Sequence, residues 1–193
     1  MEVLNPSWPT LAPLFHYYVT RYEQGGADED GFLYLKNALE TLASAGICRG
    51  SLYNYPFTVA GSQTQPSPAA YTDGLARALA RRGLRNRYAP STSASTTAWT
   101  RDRLRLNCPV VLGIRLPLSY PKTFLNDRFE WLDPEAPGSS SGHCVLVVGY
   151  SDARQALRIQ DSRGKSAFDG GGWWMGYRVA DSAVVQEAYA LLP

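Results

Sequence analysis

Apolar positions recur at helical spacing through the first half of the chain and in short runs through the second. Leu11, Leu14, Phe15, Tyr18 and Tyr22 share one helical face, and Gly25-Gly26 stop the run. His16 lies beside that face, where it is expected to pack or hydrogen-bond locally. A second helix is predicted with Leu35, Ala38, Leu39, Leu42 and Ala43 buried and Gly46 as its C-terminal cap. Ser67-Pro68, a cap followed by proline at the first helical position, opens a third helix that runs to near Gly83. Residues 53–65 between them read as a loop rich in Pro, Gly and Ser, and residues 89–97 (APSTSASTT) as a polar bridge.

Beyond the bridge the period changes. Runs at residues 110–116, 144–150, 157–160 and 173–179 are bounded by Gly, Pro, Ser and Asp clusters, as strands are. Residues 117–141 form a long irregular stretch with Trp131 inside it, and loops of that length are commonly functional or mobile. Helices followed by strands predict an α+β fold with a helical lobe over residues 1–88, an antiparallel β lobe over residues 98–193, and a cleft between them. Nothing repeats internally.

Composition narrows the function classes. A chain of 193 residues with 45% apolar content makes one compact domain or two small lobes. Nineteen basic against seventeen acidic side chains leave a net charge of +2, which argues against a dedicated nucleic-acid surface. Eight arginines lie between Arg77 and Arg105, and they read as a solvated face. No run of eighteen apolar residues predicts a membrane span, and MEVLNPSWPT lacks the basic start and apolar core of a secretory signal. Three scattered cysteines, Cys48, Cys108 and Cys144, read as reduced thiols and suit a cytoplasmic setting. With two histidines, no paired Cys or His spacing and no phosphate- or dinucleotide-binding glycine string, neither a metal nor a cofactor is expected.

Candidate chemistry is concentrated in the last third. Ser141-Gly142-His143-Cys144 opens one apolar run, and Asp161-Ser162-Arg163-Gly164 closes the next. Folding the two runs into a hairpin centred on Asp152 places His143 opposite Asp161. Directly opposed residues of an antiparallel pair have Cβ atoms about 4.5–5.5 Å apart. That suits a carboxylate that orients an imidazole and fixes its tautomer, leaving the ring to take a proton from a neighbour. Asp161 also suits the cap of a turn, and the two roles are compatible.

These residues carry a family resemblance. Residues 142–150 (GHCVLVVGY) and 161–164 (DSRG) resemble the His and Asn segments of papain-like cysteine peptidases, where a Gly-His-Ala-Val-x-x-Val-Gly-Tyr strand leads to Asn-Ser-Trp-Gly. Gly172-Trp173-Trp174-Met175-Gly176-Tyr177 resembles the Gly-Tyr-aromatic strand that follows in bacterial members. Residues 11–22 (LAPLFHYYVTRY) are similar to their Leu-Phe-x-Tyr-Tyr helix, and residues 30–57 to their Gly-rich turn, helix and Tyr-Pro-Tyr loop. Pro109-Val110-Val111-Leu112-Gly113-Ile114 matches a Pro-Val-Val-x-Gly-Ile strand. The matches run in order along nearly the whole chain.

The resemblance implies a papain-like two-lobed fold of the bacterial branch, a peptide or protein substrate, and peptide-bond hydrolysis through an acyl-enzyme. It assigns catalytic positions to His143 and Asp161. Gly31 matches the glycine along which an extended peptide pairs, with a plain turn as the alternative. Asp161 stands where the family has Asn, and Arg163 where it has the Trp that shields the His–Asn contact. That leaves the pair more open to water unless Arg163 itself pairs with Asp161.

The family's nucleophilic Cys belongs to a Gln…Cys-Gly-x-Cys-Trp segment that starts a central helix ahead of the Leu-Phe-x-Tyr-Tyr helix. Ten residues precede Leu11, so this helix is expected to be missing and the chain alone to be inactive. A longer chain, a partner polypeptide or self-association would then fill the gap. The alternative is a catalytically dead peptide-binding or scaffold protein of the same fold. A serine hydrolase using Ser7 is a distant third. Cys144 adjoins His143 but should point to the opposite strand face, and Cys48 and Cys108 read as small buried hydrophobes. Trp173 and Trp174 alternate across a strand and are expected simply to pack.

Overall fold

The computed structural model describes residues 9–26, 31, 33–55, 58–78, 85–88, 95–116, 125–134 and 142–192. They form two compact units that divide between Asn86 and Arg87.

The first unit holds helices α1 (Pro13–Glu23), α2 (Leu35–Ser44), α3 (Val59–Ser62) and α4 (Pro68–Leu75). Helix α1 starts two residues later than Leu11, because Pro13 sets the first helical turn. Leu11 instead forms an isolated bridge to Arg49. Phe15 is fully buried, and its ring meets Tyr53 and Tyr71 edge-on, with centroids 6.1 and 5.5 Å away. Such pairs add about 0.5–1.5 kcal/mol beyond the area they bury. Ser67 caps α4 as expected, accepting from the Ala70 amide at 3.3 Å.

Helix α4 ends at Leu75 rather than near Gly83, with Gly74 in its last turn. Gly74 lies where a Cβ would sit 2.9 Å from the Phe15 ring and 3.0 Å from the Ala45 carbonyl oxygen. Gly46, just past the end of α2, has φ +70°, and its Cβ would stand 2.1 Å from the Gly74 carbonyl oxygen. The end of α2 and the last turn of α4 therefore touch backbone to backbone.

His16 sits half-buried on α1, and its Nδ1 has no hydrogen-bond partner. Burial lowers its pKa, against the opposing pull of Glu23 and of a bond to the Ala38 backbone. The unfolded chain therefore binds more protons at this ring than the folded one, and stability must rise with pH across that window. The thermal stability of the full chain is therefore expected to fall as pH drops below about 6.5, the ordinary histidine value. The His16→Gln variant should lose that slope. An equal slope in parent and variant would show that other groups carry it.

Among the described residues, the second unit holds a seven-stranded sheet and two helices, with β1 starting two residues ahead of the division. Its elements are β1 (Arg85–Tyr88), α5 (Thr96–Arg105), β2 (Val110–Arg115), β3 (Glu130–Trp131), β4 (Gly142–Ser151), β5 (Ala156–Gln160), β6 (Gly172–Gly176), α6 (Tyr177–Ala180) and β7 (Val185–Leu192). The strand order is β1-β7-β2-β4-β5-β6-β3. The sheet is mixed rather than wholly antiparallel, because β3 runs parallel to β6, with Glu130 opposite Trp174. The predicted strand at residues 173–179 stops at Gly176 and turns into α6.

One face of this sheet is a continuous apolar stripe. Val110, Leu112 and Ile114 on β2 lie opposite Val147, Val145 and His143 on β4. Ile159 on β5 lies opposite both Val147 and Trp173, and Leu157 opposite Met175. These apolar residues are buried together, and Trp99 and Leu104 of α5 pack against them. Asp181, which follows α6, accepts from Ser95 Oγ and the Thr97 amide at 2.8 Å each. A carboxylate at the start of α5 both satisfies an orphan amide and complements the helix dipole.

Candidate active site

The β4–β5 hairpin does not turn about Asp152. Its four-residue turn runs from Asp152 to Gln155, where Gln155 takes φ +49° and its side chain donates to the Asp152 carbonyl at 2.6 Å. Ser151 and Ala156 form the closing pair, and a bulge at Val148 shifts the register once more. Tyr177 Oη and Arg101 Nη2 hold the Asp152 carboxylate at 2.9 and 3.0 Å and pin the turn. Continuing the Leu146–Gln160 register puts Asp161 opposite Val145, so the expected direct opposition of His143 and Asp161 is replaced by a diagonal one. Diagonal neighbours are about 7–8 Å apart at the backbone, still within reach of long side chains.

The side chains close that gap. His143 Nε2 lies 3.2 Å from Asp161 Oδ2. Because a carboxylate only accepts, Nε2 carries the proton and Nδ1 is the basic nitrogen of the neutral ring. The Asp161 side chain is 0% exposed and that of His143 21%, so the orienting group is dry while the imidazole reaches solvent. His143 sits at the end of the buried row Val147, Val145, and Asp161 at the end of the row Leu157, Ile159. Two polar groups thus face each other where the apolar stripe stops.

Three further donors converge on the same carboxylate. Trp173 Nε1 donates to Asp161 Oδ2 at 3.2 Å, and the Arg163 amide donates to Oδ1 at 3.3 Å. The Arg163 Nε lies 3.9 Å from Oδ1, so the arginine does pair with Asp161. The Asp161 amide in turn donates to the Gly171 carbonyl at 3.0 Å. Gly171 has φ +87°, and a Cβ there would press on the Gly164 carbonyl oxygen at 3.1 Å. The loop from Asp161 to Gly172 can close only with glycine at that point. Trp173 was expected only to pack. The signal that bears on it is that a buried indole needs an acceptor on its own sheet face.

The remaining candidates lie elsewhere. Cys144 is on the other face of β4, in the row of Leu146 and Val148. Desolvation, helped by the Glu187 carboxylate, pushes its thiol up to about 11, although the residue keeps exposed surface. Cys48 is buried in the first unit, and burial together with Asp73 pushes it up to about 11. Both shifts oppose thiolate formation, the reverse of what activates a cysteine nucleophile. Cys108 is buried, with its sulfur 3.4 Å from the Leu106 carbonyl oxygen. Gly31 lies exposed in the first unit, where Tyr17 Oη donates to its carbonyl at 2.8 Å and accepts from its amide at 3.1 Å. A Cβ on Gly31 would meet nothing within 4 Å. Ser7 lies outside the described residues. Among the described residues, no cluster of three or more His, Cys, Asp or Glu is placed to hold a metal ion, and no helix is long and apolar enough to cross a membrane.

Among solved structures, xylellain, a cysteine protease from Xylella fastidiosa, superposes with a TM-score of 0.77 at 20% identity, over 94% of this chain and 69% of that one. The chain has the papain-like fold. The Carica candamarcensis cysteine protease CMS1MS2, solved in complex with E-64, matches this papain-like chain with a TM-score of 0.57 at 20% identity, covering 98% and 80% of the two chains. Procathepsin L 3 of the Tenebrio molitor larval midgut matches at 0.60 and 18% identity, over 95% of this chain and 56% of the procathepsin. No family model matches the sequence, and no curated protein does. The α+β class and the papain-like architecture expected from the sequence are therefore those of the structure.

Proposed function

We propose that this chain carries the proton-transfer half of a papain-like cysteine peptidase. His143 is the base, Asp161 its orienter and a peptide or protein the substrate. The observation that carries this reading is the 3.2 Å contact between His143 Nε2 and a fully buried Asp161 carboxylate at the end of an apolar stripe. In the reaction, His143 Nδ1 takes the proton of a nucleophilic thiol, and the thiolate attacks the peptide carbonyl. The imidazolium then returns the proton to the leaving amine, leaving an acyl-enzyme that water hydrolyses. None of Cys48, Cys108 or Cys144 supplies that thiol, so the nucleophile comes from a segment outside these 193 residues. Gly31, with its open Cα face, is the position along which an extended peptide would lie.

Cys144 lies on the other face of β4 from His143 and Cys48 in the first unit, which also fits one other reading, a peptide-binding protein of the same fold that performs no chemistry. The experiment has two arms. Alone, the chain should cleave no fluorogenic peptide, and an electrophilic peptide probe should leave all three cysteines unlabelled. A label that disappears on His143→Ala would make one of them the nucleophile and overturn this division of roles. Produced with the coding region upstream of Met1, the protein should be labelled at an added cysteine, and His143→Ala should slow that labelling by about 10²-fold or more, the scale of general-base catalysis. Peptide binding without any labelling would decide for the second reading.

A further inference from the structure

We infer that Trp173 is a positioning residue for His143, acting through Asp161, and that this site requires a carboxylate rather than an amide at position 161. The inference rests on His143 being the proton acceptor proposed above. Asp161 has a direct neighbour on each flanking strand and one diagonal neighbour beyond each. Val145 and Gly171 are the direct ones, and His143 and Trp173 the diagonal ones. Both diagonal side chains send a ring N–H to the same oxygen, Oδ2, at 3.2 Å. The indole is fully buried on a central stretch of β6, with Met175 two residues on and Ile159 opposite, so its N–H direction is set by packing. An indole nitrogen only donates, so it forces Oδ2 to be an acceptor. An oxygen locked as an acceptor accepts from His143 only when the ring proton is on Nε2.

The other oxygen explains the demand for a carboxylate. Oδ1 faces the Arg163 amide at 3.3 Å and the Arg163 Nε at 3.9 Å, again both donors. An asparagine has one acceptor oxygen and one donor NH2. Turned to satisfy His143 and Trp173, it would present its NH2 to the Arg163 N–H. Turned the other way, it would present its NH2 to both rings. Only an acceptor at both positions satisfies all of these donors, so Asp161, Arg163 and Trp173 work as one set.

The test is spectroscopic and needs no nucleophile. In the full 15N-labelled chain, the two-bond 1H–15N pattern of the His143 ring is expected to show the Nε2–H tautomer. Trp173→Phe, which keeps most of the bulk, should lower the ratio of Nε2–H to Nδ1–H by about two- to tenfold, the scale of one modest hydrogen bond. Met175→Ala, on the same strand and face with no bond to Asp161, should destabilise the chain and leave the ratio unchanged. Asp161→Asn should lower the ratio as Trp173→Phe does and should shift the Trp173 indole N–H resonance, an arm that stands even if Trp173→Phe does not fold. A ratio untouched by Trp173→Phe, or an Asp161→Asn protein with the parent ratio and indole resonance, would overturn the inference. Failure of His143-dependent labelling would sink the peptidase reading and leave these signals as they are.

Discussion

Gly46→Ala is expected to destabilise the first unit by about 2–5 kcal/mol, the sum of left-handed backbone strain and overpacking. The residue sits at φ +70°, where an L side chain is strained. Its new Cβ would also meet the Gly74 carbonyl oxygen at 2.1 Å and the Ala78 nitrogen at 2.7 Å. Both are backbone atoms, so no side-chain rotation relieves the clash, and the end of α2 must move off α4. Gly25→Ala is the control, because Gly25 has φ +75° with nothing within 4 Å of a Cβ. Denaturant unfolding of the two variants separates strain from steric overlap. If both melt together, the contact between α2 and α4 is softer than described. Whole domains are stable by only about 5–15 kcal/mol, so the larger effect would leave the first unit marginal.

Ile159→Ala is expected to cost the second unit about 2–5 kcal/mol, the range for truncating a buried aliphatic side chain. Ile159 is fully buried between Val147 and Trp173, two residues before Asp161 on the same face. Its side chain therefore supports both strands that bring ring N–H groups to the carboxylate. Denaturant titration of parent and variant reads the loss as a lower midpoint with an unchanged slope. A loss below about 1 kcal/mol would mean that the stripe collapses onto the vacated volume, which close-packed interiors seldom manage.

Much of the fold was legible where burial is periodic. The rows at Val110, Leu112 and Ile114 and at Val145 and Val147 alternate cleanly, and the sequence pattern placed those strands within one or two residues. Helix α5 was not legible, because TTAWTRDRLR buries two threonines, Thr97 and Thr100, has only Trp99 and Leu104 as large apolar residues against the core, and follows a run of Ser and Thr that reads as linker. Strand β3 is two residues long, and its parallel pairing with β6 comes from a contact remote in sequence. At the site, His143 and Asp161 were visible as residue types, and the structure puts them in contact. The route to that contact was not visible. It depends on a four-residue turn with Gln155 in a left-handed conformation, which no glycine or proline announces, and on a bulge whose sequence trace is the single glycine Gly149 inside the strand. The donation from Trp173 required the β5–β6 register, which a loop closed by three consecutive glycines hides from any count along the chain.

The bulge at Val148 makes β4 a strand with two phases. His143 and Tyr150 are seven positions apart, so strict alternation would send them to opposite faces. Yet His143 lies in the inward row, and Tyr150 packs on the same core. Val148, largely exposed, is the residue that absorbs the odd count. It is the one position along β4 where chain length is negotiable. Losing a residue there makes the strand regular and keeps both His143 and Tyr150 facing in. Losing one between His143 and Val147 turns the imidazole out to the other side of the sheet, away from its carboxylate.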